Sequence, residues 1–209
     1  MSFAAVIFDL GGVVLGSPLH AIAAYEREQG IPSGFVNRVV ADTAPHGAWS
    51  RLERGELSLT TFYPAFESDC LEAGQCISAR SMMERMASAS APRPAMLEAV
   101  RRIRAAGLKA AALTNNWVSD DGDEGTRALE PYFDAFVESS VVGLRKPDPR
   151  IYEHACAEIG VAPKAAVFLD DIGSNLKTAH QLGMATIKVE DPDTALGELE
   201  GLLGFALRD

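Results

Sequence analysis

Residues 3–12 read FAAVIFDLGG: an unbroken apolar run from Phe3 to Phe8, then Asp9, then the pair Gly11-Gly12. An apolar run without alternation is the pattern of a strand buried on both faces, and glycines mark the turn that leaves it. The same pattern recurs along the chain. Residues 109–113 (KAAAL) end at Thr114-Asn115-Asn116, and residues 165–169 (AAVFL) end at Asp170-Asp171. A weaker run from Ala185 to Val189 precedes Glu190 and Asp191, and residues 135–137 (AFV) form a further short candidate.

Helical patterns lie between these runs. Residues 94–106 place Met96, Leu97, Val100 and Ile103 on one face, and Gly107 follows where a C-terminal glycine belongs. Asp148-Pro149 reads as an N-cap followed by proline at the first helical position. The helix it starts buries Ile151, Ala155 and Ile159 and stops at Gly160; another runs over 174–182 to Gly183. Strands alternating with helices predict an α/β protein with a Rossmann-like parallel sheet. In open parallel sheets ligands sit beyond the carboxyl ends of the strands. Asp9, Thr114, Asn115, Asp170 and Asp171 all fall at such ends.

Residues 16–90 interrupt the alternation. They show helical patterns over Leu19–Gln29, Leu59–Leu71 and Ile77–Ala89, and no convincing strand. A helical insert placed directly after the first strand reads as a cap, with residues 88–94 (SASAPRP) as its return hinge. The expected organisation is a core of residues 1–15 and 91–209 with a helical cap of residues 16–90.

Composition narrows the class. The 209 residues carry a formal net charge of −10, with the basic residues scattered. Nucleic-acid binders present a basic patch or stripe, so nucleic acid is excluded as the expected partner. An anionic substrate would then need a local positive site: a metal, a lysine or backbone N–H groups. The apolar N-terminus lacks a basic leader and is broken by Asp9, so it reads as a strand rather than a signal peptide. No apolar run is long enough to span a membrane. Cys70, Cys76 and Cys156 are odd in number and form no CxxC, which fits a reducing compartment and a cytoplasmic protein.

Two carboxylates on neighbouring strands can share a hard divalent cation such as Mg²⁺, which takes oxygen ligands and keeps several waters. The cation offsets repulsion between carboxylates and a phosphate and orients the phosphoryl group for in-line attack. A carboxylate can then act as nucleophile and form an aspartyl-phosphate. Lys146, in the proline-flanked segment GLRKPDP, supplies positive charge. A threonine hydroxyl and a backbone N–H supply donors to the equatorial oxygens.

In order, the four elements are Asp9 in FDLGGVV, Thr114 in LTNNW, Lys146 in GLRKPDPRIY and Asp170-Asp171 in FLDDIGSNL. Together they resemble the haloacid dehalogenase-like hydrolase superfamily over nearly the whole chain. The likeness is nearest to the N-terminal phosphatase domain of soluble epoxide hydrolases, and the run LGMATIKVEDPDTAL adds to it. The resemblance implies a Rossmann-like core, a helical cap and a Mg²⁺-dependent phosphatase acting on a small-molecule phosphate ester. It implies Asp9 as nucleophile and metal ligand, Gly11 as a carbonyl ligand and Asp171 as a direct metal ligand. Asp170 would accept from Lys146 or a metal-bound water. Thr114 and the Asn115 backbone would hold phosphate, Lys146 would be the electrostatic clamp, and Asn175 would orient the aspartate pair.

One position departs from the family pattern. Phosphatases of this family carry a second aspartate two residues after the nucleophile, where this chain has Gly11. A glycine keeps the carbonyl and loses the general acid–base, a role worth about 10²–10⁴-fold. Three readings follow: a phosphatase for substrates with good leaving groups, a protein that binds a phosphorylated ligand with little turnover, or a dehalogenase. The retained Asp170-Asp171 pair argues against the last. His20 and Glu56 are the candidate substitutes for the missing acid–base. Arg145 reads as a surface residue, Trp49 and Trp117 as packing residues, and residues 120–124 (DDGDE) as a solvated loop. No feature fixes an oligomeric state.

Overall fold

The computed structural model describes residues 3–118 and 125–208; the acidic stretch 120–124 lies outside them. Five parallel strands form one sheet: β1 (Ala5–Phe8), β2 (Lys109–Thr114), β3 (Ala135–Glu138), β4 (Ala166–Asp170) and β5 (Ala185–Lys188), in the order β3-β2-β1-β4-β5. The chain starts in the middle, steps outward to β3, then returns to β4 on the other side of β1. The order therefore reverses between β1 and β4, which is where an open α/β sheet binds its ligand.

The strands are continuous apolar runs because both faces are covered. Val6, Phe8, Ala110, Ala112, Val167 and Leu169 pack on one face with α6 (Pro94–Ala105) and α10 (Pro192–Leu203). Ala5, Ile7, Ala111, Leu113, Ala166 and Phe168 pack on the other with α8 (Pro149–Glu158) and α9 (Gly173–Gln181). Alternate residues go to opposite faces of a strand, so burial on both leaves no polar position within it.

Between β1 and α6 the chain builds five helices: α1 (Pro18–Gln29), α2 (Phe35–Thr43), α3 (Ala48–Glu53), α4 (Leu59–Glu72) and α5 (Ala79–Ser88). They bury a separate apolar cluster around Trp49, Phe62 and Phe66. The Phe62 and Phe66 rings stack at 5.3 Å, and Trp49 meets both edge-on. The entering and returning segments run side by side. Leu15 bridges Pro92, Gly16 N–H donates to the Ala91 carbonyl at 3.0 Å, and Arg93 N–H donates to the Val14 carbonyl at 2.8 Å. A Cβ on Gly16 would lie 2.0 Å from the Ala89 carbonyl oxygen, so this close pass needs glycine.

The helical insert holds two helices beyond the three legible patterns. α2 is started from a distance: the buried Glu26 of α1 accepts from Gly34 N–H at 2.7 Å and Val36 N–H at 2.8 Å. α3 is started likewise, by Asp69 of α4 accepting from Ala48 N–H at 2.9 Å. α5 begins at Ala79 rather than at Ile77, because Ser78 caps it by accepting from Ser81 N–H. A short helix, α7 (Ser139–Val142), follows β3 directly.

Candidate active site

The sheet brings the strand ends together. Asp9 N–H donates to the Leu169 carbonyl at 2.9 Å, which sets Asp9 beside Asp170. Carboxylate oxygens of Asp9, Asp170 and Asp171 lie within 4.8 Å of one another. Between Asp9 and Asp170 stands Lys146, with Nζ 2.9 Å from Asp9 Oδ1 and 2.8 Å from Asp170 Oδ2. The lysine is 1% exposed, and its ammonium lies 5.5 Å from the centre of the Phe168 ring. A lysine buried this deeply requires anionic partners.

Each carboxylate has a distinct setting. Asp170 is fully buried and its oxygens are heavily used. Asn175 Nδ2 reaches Oδ1 at 3.1 Å and Oδ2 at 3.0 Å, and Ile172 N–H donates to Oδ1 at 2.7 Å. Asn175 is itself held from behind, since the buried Tyr152 hydroxyl donates to its carbonyl at 3.0 Å. Asp9 Oδ1 accepts from Leu10 N–H at 2.7 Å. Asp171 is half-buried, and Ser17 Oγ lies 3.5 Å from its Oδ2. Gly12 makes room for it: a Cβ there would fall 2.1 Å from Asp171 Oδ2, and the residue has φ +80°.

The electrostatics follow from burial and charge count. Burial pushes the Asp9 carboxyl well above its ordinary range; Lys146 opposes the shift, and Asp170 and Asp171 add to it. Asp171 is raised to about 6, by burial first and by the Asp170 charge second. Burial alone would lower the Lys146 ammonium, but Asp170 and Asp9 hold it above its ordinary value. Three carboxylates facing one ammonium leave an excess of two negative charges when all are ionised. An all-oxygen donor set with that excess suits a hard divalent cation.

The remaining sequence candidates divide. Thr114 is buried at the end of β2, with Oγ1 3.5 Å from the Asn115 carbonyl. Asn115 uses its side chain on Lys146 as well: Oδ1 accepts from Lys146 N–H at 2.8 Å, and Nδ2 donates to the Lys146 carbonyl at 3.1 Å. Gly11 sits half-buried in the turn after Asp9, and an added Cβ there would lie in tight contact with the Pro18 ring, at 3.3 Å. His20 is exposed on the first turn of α1. Glu56 is exposed and paired with Arg54 at 2.6 Å, a bond that lowers its carboxyl pKa. A carboxyl held ionised by an arginine is poorly suited to donate a proton.

Arg145 is no surface residue. Its side chain is 18% exposed, and Nε meets Glu53 Oε2 of α3 at 2.5 Å. Its partner stands 92 residues away, beyond the reach of a local pattern. Tyr152 and Glu53 also escape sequence reading; both are buried, yet each stands beside charged residues in the sequence. Trp49 and Trp117 pack edge-to-face at 6.3 Å, as packing residues do.

The chain is similar to known proteins over most of its length. The chain is 39% identical over 209 residues to acyl-CoA dehydrogenase family member 10 of Mus musculus, covering 99% of this chain and 20% of that protein. It is 35% identical over 221 residues to bifunctional epoxide hydrolase 2 of Sus scrofa, covering 99% of this chain and 40% of that protein. The chain thus spans well under half the length of these relatives. A crystal structure of a haloacid dehalogenase family enzyme from Bacteroides thetaiotaomicron, in complex with magnesium and inorganic phosphate, superposes with a TM-score of 0.62. That likeness is at 20% identity and covers 90% of this chain and 94% of that one, which speaks to the fold. The family model described as haloacid dehalogenase-like hydrolase matches residues 3–183, from β1 through α9, and on that match the chain belongs to this family.

Proposed function

We propose that the protein is a Mg²⁺-dependent phosphatase that hydrolyses a small organic phosphate through an aspartyl-phosphate on Asp9. The observation that carries this reading is the unbalanced cluster of Asp9, Asp170 and Asp171 around the buried Lys146 ammonium. Asp9 and Asp171, with the Gly11 carbonyl, would hold the ion. When bound, it would neutralise phosphate oxygens and keep anionic substrate close to anionic side chains.

The chain's own groups supply the rest. An Asp9 carboxylate oxygen attacks phosphorus, the bond from phosphorus to the leaving oxygen breaks, and that oxygen departs with the electron pair. Lys146 and Leu10 N–H hold Asp9 Oδ1 and so fix the carboxylate plane. Thr114 Oγ1 and the Asn115 N–H would donate to the phosphoryl oxygens. In the second half-reaction water attacks phosphorus, the acyl–phosphate bond breaks, and Asp9 is regenerated with release of phosphate. The helices of residues 16–90 would act as a cap over the strand ends. The free cysteines accord with work in the reducing cytoplasm.

Gly11 shapes the substrate class. With no acid two residues after the nucleophile, turnover favours leaving groups that depart unprotonated, such as acyl phosphates and sugar 1-phosphates. The Pro18 ring over Gly11 supports a second reading, a phospho-ligand-binding protein of low turnover. Phosphate release from a panel of esters and acyl phosphates, with Mg²⁺ and with a chelator, separates them. Mg²⁺-dependent release that rises with leaving-group acidity supports the phosphatase. No release by folded protein that still binds Mg²⁺ and phosphate supports the binding role.

A further inference from the structure

Glu53, the last residue of α3, is a carboxylate of the helical insert that is only 7% exposed. Three N–H donors converge on it. Trp49 Nε1 donates to Oε1 at 2.9 Å, while Arg145 Nε at 2.5 Å and Asn115 Nδ2 at 3.3 Å donate to Oε2. Asn115 grips both backbone polar groups of Lys146, and the Lys146 ammonium stands between Asp9 and Asp170. The side chain of Asn115, and that of Arg145 one residue before Lys146, therefore link the insert to the backbone of the buried lysine. We propose that Glu53 is a positioning residue that couples seating of the helical insert to placement of Lys146; this rests on the reading of Lys146 as a working part of the site.

The chemistry of the donors explains why a carboxylate stands here. An ionised carboxylate is acceptor-only, whereas an amide would turn an NH₂ toward N–H donors on one side. Glu53 also supports the orientation of the Asn115 amide. With Nδ2 facing Glu53 and the Lys146 carbonyl, Oδ1 is left to accept from Lys146 N–H. Turned over, Oδ1 would face two acceptors and the NH₂ would face an N–H. The carboxylate thus reinforces the amide orientation that the Lys146 backbone groups already require. Trp117, two residues beyond Asn115, packs on Trp49 and anchors the same loop to the same helix.

Glu53→Gln is nearly isosteric and breaks one arm of this arrangement. Two readouts decide the matter, both on the full chain with Mg²⁺ present. The first is kinetics on whichever ester the wild type hydrolyses best. The kcat should fall about 10- to 100-fold, as for a small misplacement of a reacting group, with KM little changed. Combined with Asn115→Ala, the losses should not multiply in full, because the two side chains touch and both act on the placement of Lys146. The second is hydrogen exchange: the Lys146 amide should lose protection while the β1 amides of Val6 and Ile7 keep theirs. Glu53→Asp, which keeps the charge but draws it back from both Arg145 and Asn115 by one methylene, serves the same readouts if Glu53→Gln does not fold. Wild-type kcat and wild-type exchange at Lys146, with only the melting temperature lowered, would overturn the proposal. So would losses that multiply in full with those of Asn115→Ala. Exchange at Lys146 needs no turnover, so it judges the positioning role even if the wild type releases no phosphate.

Discussion

Lys146 Nζ lies 2.9 Å from Oδ1 of Asp9, inside a shell so closed that the lysine is 1% exposed. The ammonium offsets charge that the sheet would otherwise force together at the ends of β1 and β4. Replacing it with methionine keeps most of the volume and leaves the carboxylates unpaired. Breaking a buried pair from one side costs about 3–5 kcal/mol. Urea denaturation of metal-free Lys146→Met should show a loss of that order, and phosphate release should fall to background. A variant as stable as the wild type would mean that the ammonium does not hold the cluster together.

Metal-free stability should fall as pH rises through about 6. Asp171 is raised to about 6 in the folded protein, from an ordinary value of 3.8, by burial and by the Asp170 charge. Between those values the native state binds more protons than the unfolded chain, so stability is greatest at the acid end of the window and is lost above it. Glu98 and Glu200, lowered from 4.5 to about 2 by arginine partners, act in the opposite sense below about 4.5, so the comparison is made above that value. In chelator the melting temperature should be higher at about pH 5 than at about pH 7.5. Mg²⁺ should flatten the slope, because the ion replaces the proton. A melting temperature that climbs steadily with pH in chelator would contradict the assignment.

Gly12→Ala should cripple the metal site. Its φ of +80° is strained for alanine, and the new methyl group would overlap Asp171 Oδ2, 2.1 Å away. The backbone conformation alone costs about 1–3 kcal/mol, and Asp171 must move. Isothermal titration should show weaker Mg²⁺ binding than wild type; unchanged affinity would remove Asp171 from the ligand set.

Gly11→Asp tests what the missing acid–base costs. The backbone there, φ −64° and ψ 123°, accepts any residue, and the Pro18 ring needs to give by a few tenths of an ångström. Turnover of poor leaving groups should rise by up to about 10²–10⁴-fold, with a smaller gain for acyl phosphates. Equal gains for both would show that leaving-group protonation is not what Gly11 lacks.

Which parts of this were legible in the sequence has a physical explanation. The strands of Asp9, Thr114 and Asp170 stood out because burial on both faces erases polar positions. Helices with their own punctuation also stood out, as at Asp148-Pro149. Asp191-Pro192 is the same signal, and it starts α10, which the sequence reading leaves unassigned. α2 and α3 carry no such mark, because Glu26 and Asp69 cap them across the fold. The contact between Glu53 and Arg145 is hidden for the same reason: charge type predicts exposure, and only the tertiary fold supplies the partner.

The account turns on Asp9 forming a bond to phosphorus. Acid quenching during turnover of an acyl phosphate with Mg²⁺, followed by mass spectrometry of the peptide that carries Asp9, tests this directly. A phosphoryl adduct on Asp9, absent with chelator and absent in Asp9→Asn, is the predicted result. Phosphate release at the wild-type rate from Asp9→Asn, with no adduct on any peptide, would contradict it.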